Sequence, residues 1–259
     1  MDRLIEDLAD EVGALAGIVD GLGDREWAVP TPATGWDVGD QIVHLVMFDE
    51  RCMWGIADPD RFDRDLETLS GRGGMAAVHG GLRALPRQEL IDRWLSGAEA
   101  LRQAGRAADP KARCRWYGPS MSVTSMLTAR LMETWAHGYD ICDAVGSVMP
   151  ATDRLRHVAH IAVRARPFAF ATNKRGMPAG DVRVELAAPS GETWEWGESA
   201  TDTVRGPALG FCLAATQRRH VDDCGLEVEG ASAREWMSLV QAFAGPPGEG
   251  RAKGQFDRL

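Results

Sequence analysis

The stretch RLMETWAHGYD, residues 130–140, sets a glutamate, a histidine and an aspartate among ordinary helical residues. Glu133 and His137 are four apart, an advance of about 400° along a helix, so they share one face. Asp140 follows three residues later, and Leu131, Met132 and Trp135 border the set. By residue type two readings stand. The pair is an i,i+4 ion pair of the kind exposed helices use, or it is two ligands of a metal. Neutral imidazole and carboxylate suit zinc and other divalent first-row ions.

A third ligand has to come from another helix, because metal sites in bundles are built from side chains on facing helices. His44, mid-helix in DQIVHLVMFDE beside an apolar stripe, is the best candidate. Three protein ligands leave one position open, the coordination of a catalytic metal and not of a closed structural one. His157 and His160, three apart on a later helix, form a rival pair. His79 and His220 are isolated and read as surface or loop groups.

The elements around this stretch follow from apolar spacing. Leu4, Ile5, Leu8, Val12, Leu15 and Val19 predict a first amphipathic helix over 2–20. Asp37 caps a second with Val38, Ile42, Leu45 and Phe48, ending near Gly55 or the Asp58-Pro59 pair. Residues 59–74, polar and Gly-rich, read as a long loop with a short helix at most. Pro86 suits the first turn of a third helix through Leu90, Trp94, Ala98 and Leu101, and Pro119 opens a fourth that runs to about Val145 before Gly146. A fifth covers 153–170.

After Gly180 the period changes to two. DVRVELAAP, ETWEW and GLEVEG read as strands, and PALGFCLAATQRR and SAREWMSLVQAFAG as short helices. This segregation predicts a mainly α chain in two domains: an up-and-down four-helix bundle over 1–172, then a small α+β domain over 180–250, divided near the NKRGMPAG loop. The tail PPGEGRAKGQFDRL reads as weakly ordered.

The chain has 259 residues and a formal net charge of −9. An acidic surface repels phosphate backbones, which argues against nucleic acid as a partner. No apolar run is long enough to cross a bilayer, so no membrane partner is expected. MDRLIEDLAD lacks the basic and apolar regions of a secretory signal, which predicts a cytoplasmic protein. Cys52, Cys114, Cys142, Cys212 and Cys224 are scattered, odd in number and without C-x-x-C, so they read as free thiols.

WDVGDQIVHL, residues 36–45, taken with RLMETWAHGYD, resembles the DinB-like superfamily, and more closely its mycothiol-dependent maleylpyruvate isomerase branch. TVRGPALGFCLAATQRR and LEVEGASAREWMSLVQAFAG are similar to that branch's sterol carrier protein-like tail. The resemblance implies His44, Glu133 and His137 as ligands of a divalent metal, zinc or another such as nickel. It also implies a low-molecular-weight thiol, mycothiol, activated for isomerisation of, or S-transfer to, a small electrophile. The expected partners are therefore that thiol and a small-molecule substrate, with a homodimer as the candidate assembly.

Supporting roles attach to several residues. Asp40, one turn before His44, is placed to accept a ring N–H; Asp140 and Arg130 are placed beside Glu133 and His137. Arg51, Arg205, Arg218 and Arg219 are candidates for an acidic substrate, although no single arginine is assigned. Trp36 and Trp135 read as core or pocket walls. Two other functions remain open: a metal-dependent hydrolase on the same scaffold, and a non-enzymatic carrier of lipid or another small ligand.

Overall fold

The structure, a computed structural model, describes residues 1–71, 73–118 and 120–256. The chain divides into two compact units, Met1–Met149 and Pro150–Leu259.

Four long helices build the first unit: α1 (Asp2–Asp20), α3 (Val38–Ala57), α6 (Arg87–Ala107) and α7 (Val123–Val145). They pack in a ring, with α3 against α6 and α7 and α1 against the same two. The stripes expected from spacing form its core. All six apolar positions of α1 are buried, as are Leu90, Trp94, Ala98 and Leu101 of α6. On α3, Val38, Ile42 and Leu45 are buried, but Phe48 is only half-buried.

Asp37 caps α3 as its residue type predicts. Its side chain accepts from the Asp40 N–H at 2.9 Å, and Asp40 reciprocates on the Asp37 N–H at 3.0 Å. α7 ends at Gly146, whose φ of 70° is left-handed. Its start is Val123, where Ser122 caps by accepting from the Ser125 N–H; Pro119, expected to open this helix, lies outside the described residues.

The remaining elements depart from the expectation. A short α2 (Asp24–Trp27) interrupts the first loop. Residues 59–74 are largely helical: α4 (Pro59–Ser70) and α5 (Gly74–Arg83) follow α3. Asp58-Pro59 ends one helix and begins the next, since Asp58 accepts from the Arg61 N–H and proline is tolerated in the first turn. An antiparallel ribbon, β1 (Arg113–Cys114) with β2 (Met121–Ser122), precedes α7. Its loop is fastened to α3, where the Arg115 N–H donates to the Gly55 carbonyl at 3.1 Å. A Cβ at Gly55 would lie 2.5 Å from the Arg115 carbonyl oxygen, so only glycine permits that approach.

The second unit begins earlier than the loop at 173–180. The expected fifth helix is two, α8 (Leu155–Arg164) and α9 (Arg166–Thr172), broken at Ala165 before Pro167. Both belong to the C-terminal unit, where α8 packs on α10 (Ala208–Ala215) and α9 on α11 (Ala231–Met237). Its sheet has the order β4-β3-β5-β6. β3 (Arg183–Ala187), β4 (Thr193–Trp196) and β6 (Glu227–Glu229) stand where alternation predicts. β5 (Thr203–Pro207), parallel to β3 and antiparallel to β6, was not expected. Too few residues alternate there before Gly206 and Pro207 to register as a strand.

All five cysteines are free and buried. Burial pushes every one of these thiols up, Cys142 and Cys224 to about 12. No described helix is long and apolar enough to cross a membrane.

Candidate metal centre

α3 and α7 face each other across the bundle and bring His44, Glu133 and His137 together. Candidate ligand atoms on the three lie within 4.8 Å of one another, and among the described residues no other such group occurs. Both imidazoles address one carboxylate oxygen: Glu133 Oε2 lies 3.2 Å from His137 Nε2 and 3.5 Å from His44 Nε2. The two rings are 4.1 Å apart. Trp36 stacks on His137 at 5.9 Å and tilts over His44 at 5.5 Å; Phe48 lies 4.5 Å from His44 on its other side.

The tautomer of His137 follows from its neighbours. Thr31 donates its hydroxyl proton to the Trp36 carbonyl at 3.0 Å and accepts from Gln41 Nε2 at 2.8 Å. Gln41 therefore presents Oε1 to His137 Nδ1, which must be the protonated nitrogen. Nε2 then turns a lone pair toward Glu133, acceptor against acceptor. Something positive belongs between them: a second proton on His137, or a cation. A proton there leaves His44 Nε2 buried without a hydrogen-bond partner, as it stands here. A cation shared by all three atoms satisfies every one of them, so the donor set fits a divalent metal.

The electrostatics agree. Burial, with His137 adding, lowers the His44 imidazole to about 3, so it stays neutral and able to ligate. Burial raises the Glu133 carboxyl, but the two imidazoles that face it, His137 and His44, outweigh burial and hold the group well below the usual carboxylate range. Beneath Glu133, one turn back on α7, Arg130 Nε donates to Asp49 Oδ1 at 2.9 Å in a buried ion pair.

Several supporting residues stand differently from the sequence reading. Asp40 is engaged by the Asp37 N–H, by His79 at 3.4 Å and by Arg83 at 3.5 Å, and Gln41 is the residue that orients an imidazole. Gln41 lies three residues before His44 on α3, and only the observed facing of α3 and α7 brings it to His137. His79 is not an isolated surface group: it sits on α5 against Asp40, with its ring 6.3 Å from that of Trp36. Arg51 is buried and held by Asp65 at 2.8 Å and by the Met47 carbonyl. Asp140 is buried. In the second unit, Arg205 pairs with Glu185 and Glu229, Arg218 and Arg219 donate to backbone carbonyls, and His160 accepts from the Trp196 indole at 3.3 Å.

A four-helix bundle with two histidines and a glutamate on facing helices, followed by a small α+β unit, is the plan of a DinB-like protein. The family model of the mycothiol maleylpyruvate isomerase N-terminal domain matches residues 8–142, and the chain belongs to that family. It is 41% identical over 251 residues to the uncharacterized proteins MT0041 and Rv0036c of two Mycobacterium tuberculosis strains, covering 95% of this chain and 97% of each. Two crystal structures of the mycothiol-dependent maleylpyruvate isomerase, one of a histidine-to-alanine mutant, share its fold. Their TM-scores are 0.55 and 0.57 at 15% identity, over 90% of this chain and 95% of theirs.

Proposed function

We propose that the chain binds a divalent cation, zinc or another such as nickel, through His44 Nε2, Glu133 Oε2 and His137 Nε2, and uses it to activate a low-molecular-weight thiol toward a small electrophile. The observation that carries the reading is the buried, partnerless His44 Nε2 beside an acceptor–acceptor pair. Mycothiol is the thiol named for the structurally similar isomerase and in the family's name, and supports the same class here. When bound, the cation supplies Lewis acidity that lowers the pKa of a thiol near it, so that sulfur is present as thiolate at neutral pH.

The chain's own residues prepare that chemistry. Gln41 holds His137 with Nδ1 protonated, keeping Nε2 free to ligate. Glu133 brings one negative charge. Trp36 and Phe48 flank the imidazoles and cover part of each with ring surface. The thiol then serves either as an isomerase cofactor that adds and leaves, or as a co-substrate that stays attached.

The test is elemental analysis of untagged protein beside His137→Ala, followed by electrophile-consumption assays with and without mycothiol. Near-stoichiometric metal that disappears in the variant, with thiol-dependent turnover, is the expected result. Turnover without thiol would make the protein a hydrolase. Absence of metal after reconstitution, with a copurifying lipid, would make it a carrier.

A further inference from the structure

The imidazole of His44 is the inner end of a run of aromatic rings. Phe48 lies against it at 4.5 Å, and the ribbon loop lays Trp116 and Tyr117 on Phe48 at 6.1 and 6.2 Å. Trp116 and Tyr117 meet at 5.0 Å, and Tyr117 rests on the buried Phe62 at 5.1 Å. Phe48, Trp116 and Tyr117 are each only half-buried. The core aromatics Phe62, Trp94 and Trp135 of the same unit are almost wholly buried by comparison. Gly55 is what lets this loop come down on α3.

Four arginines on the elements around these rings are committed to carboxylates. Arg51 is held by Asp65, Arg130 by Asp49, Arg83 by Asp37 and Asp40, and Arg115 lies 3.5 Å from Asp63. An anionic group brought against the rings would therefore lose water and meet neutralised ion pairs. A flat, uncharged ring would stack.

We infer that Phe48, Trp116 and Tyr117 form a specificity subsite for an uncharged aromatic or conjugated group, so that the electrophile is an apolar, ring-bearing molecule and not a small dicarboxylate. The inference takes the triad as the reacting end and in that respect rests on the proposed function. The positive charge a metal brings lies at the triad; the outer end offers ring faces and the uncharged Tyr117 hydroxyl.

Calorimetric titration of metal-loaded protein with benzylideneacetone tests this, beside pent-3-en-2-one, which keeps the enone and lacks the ring, and the 4-carboxy derivative, which puts a charge on the ring's far end. Benzylideneacetone is expected to bind at least about tenfold more tightly than either. Trp116→Ala, a change in a half-exposed loop, is expected to cut its preference over pentenone to less than about threefold while metal content stays that of the wild type. Equal or tighter binding of the 4-carboxy derivative overturns the inference, as does equal binding of pentenone or no binding of the aromatic enone. Metal content, read on the same samples, separates this failure from failure of the metal reading: a protein that holds its metal but shows no ring preference sinks the subsite alone.

Discussion

Replacing Gln41 by leucine removes the acceptor that fixes the His137 tautomer while nearly preserving side-chain volume. Gln41 is fully buried, its oxygen on His137 Nδ1 and its nitrogen on Thr31. Two effects follow. His137 becomes free to carry its proton on Nε2, the nitrogen that faces Glu133, and loss of such an outer partner typically lowers metal affinity by about 10- to 100-fold, or roughly 1.4–2.7 kcal/mol. The Nδ1–H is also left buried and unpaired, at a cost of about 1–3 kcal/mol to the metal-free fold. Thr31 keeps its bond to the Trp36 carbonyl, so the second cost falls on one donor. Competition with a chromogenic chelator measures the first effect, and urea unfolding of chelator-treated protein the second. Gln41→Glu, which still accepts from Nδ1 and adds charge, is expected to bind metal at least as tightly as the wild type. Wild-type metal affinity in Gln41→Leu would refute the argument that Gln41 sets the imidazole, whatever the change in stability.

Arg130→Met strands the Asp49 carboxylate in the core and is expected to cost about 3–5 kcal/mol in denaturant unfolding, whereas Arg130→Met with Asp49→Leu should recover most of that loss; a double variant as unstable as the single would contradict the reading. Gly55→Ala forces a methyl onto the Arg115 carbonyl and should cost about 1–3 kcal/mol, with the ring preference of the site reduced alongside; an unchanged melting temperature would show that the loop yields freely. In metal-free protein, His44 refuses a proton down to about pH 3, while the unfolded chain accepts one near 6.5. Its folded pKa is lowered, so stability falls as pH drops below 6.5, by at most about 1.4 kcal/mol per unit. Glu133, also held low when folded, acts in the same direction below about 4.5. Scanning calorimetry between pH 7.5 and 5 checks this, and a flat transition temperature would count against it.

The bundle was legible because its helices bury stripes that spacing alone exposes, Leu4 to Val19 and Leu90 to Leu101, and because Asp37 caps α3 as its residue type predicts. The pairing of Glu133 with His137 was legible for the same geometric reason, and His44 joined them through its place beside the stripe of α3. What escaped depends on partners distant in sequence. α4 has few apolar residues and buries Phe62 alone, so its composition resembles a loop. α8 and α9 have helical spacing, but only the packing of α10 and α11 shows which unit they serve. Gln41 carries no signal of its own, since an amide on a buried face becomes an orienting group only when an imidazole from α7 arrives. His79 likewise gains meaning only from its folded neighbours, Asp40 and Trp36.

The concealment of the five cysteines has a consequence for a protein that keeps company with electrophiles. A reactive substrate alkylates whichever sulfur it meets first as an anion. Here each cysteine sulfur is covered and kept protonated at neutral pH. On the proposed function, the only competent nucleophile is then the one brought in from outside, and the protein is spared suicide by its own reagent.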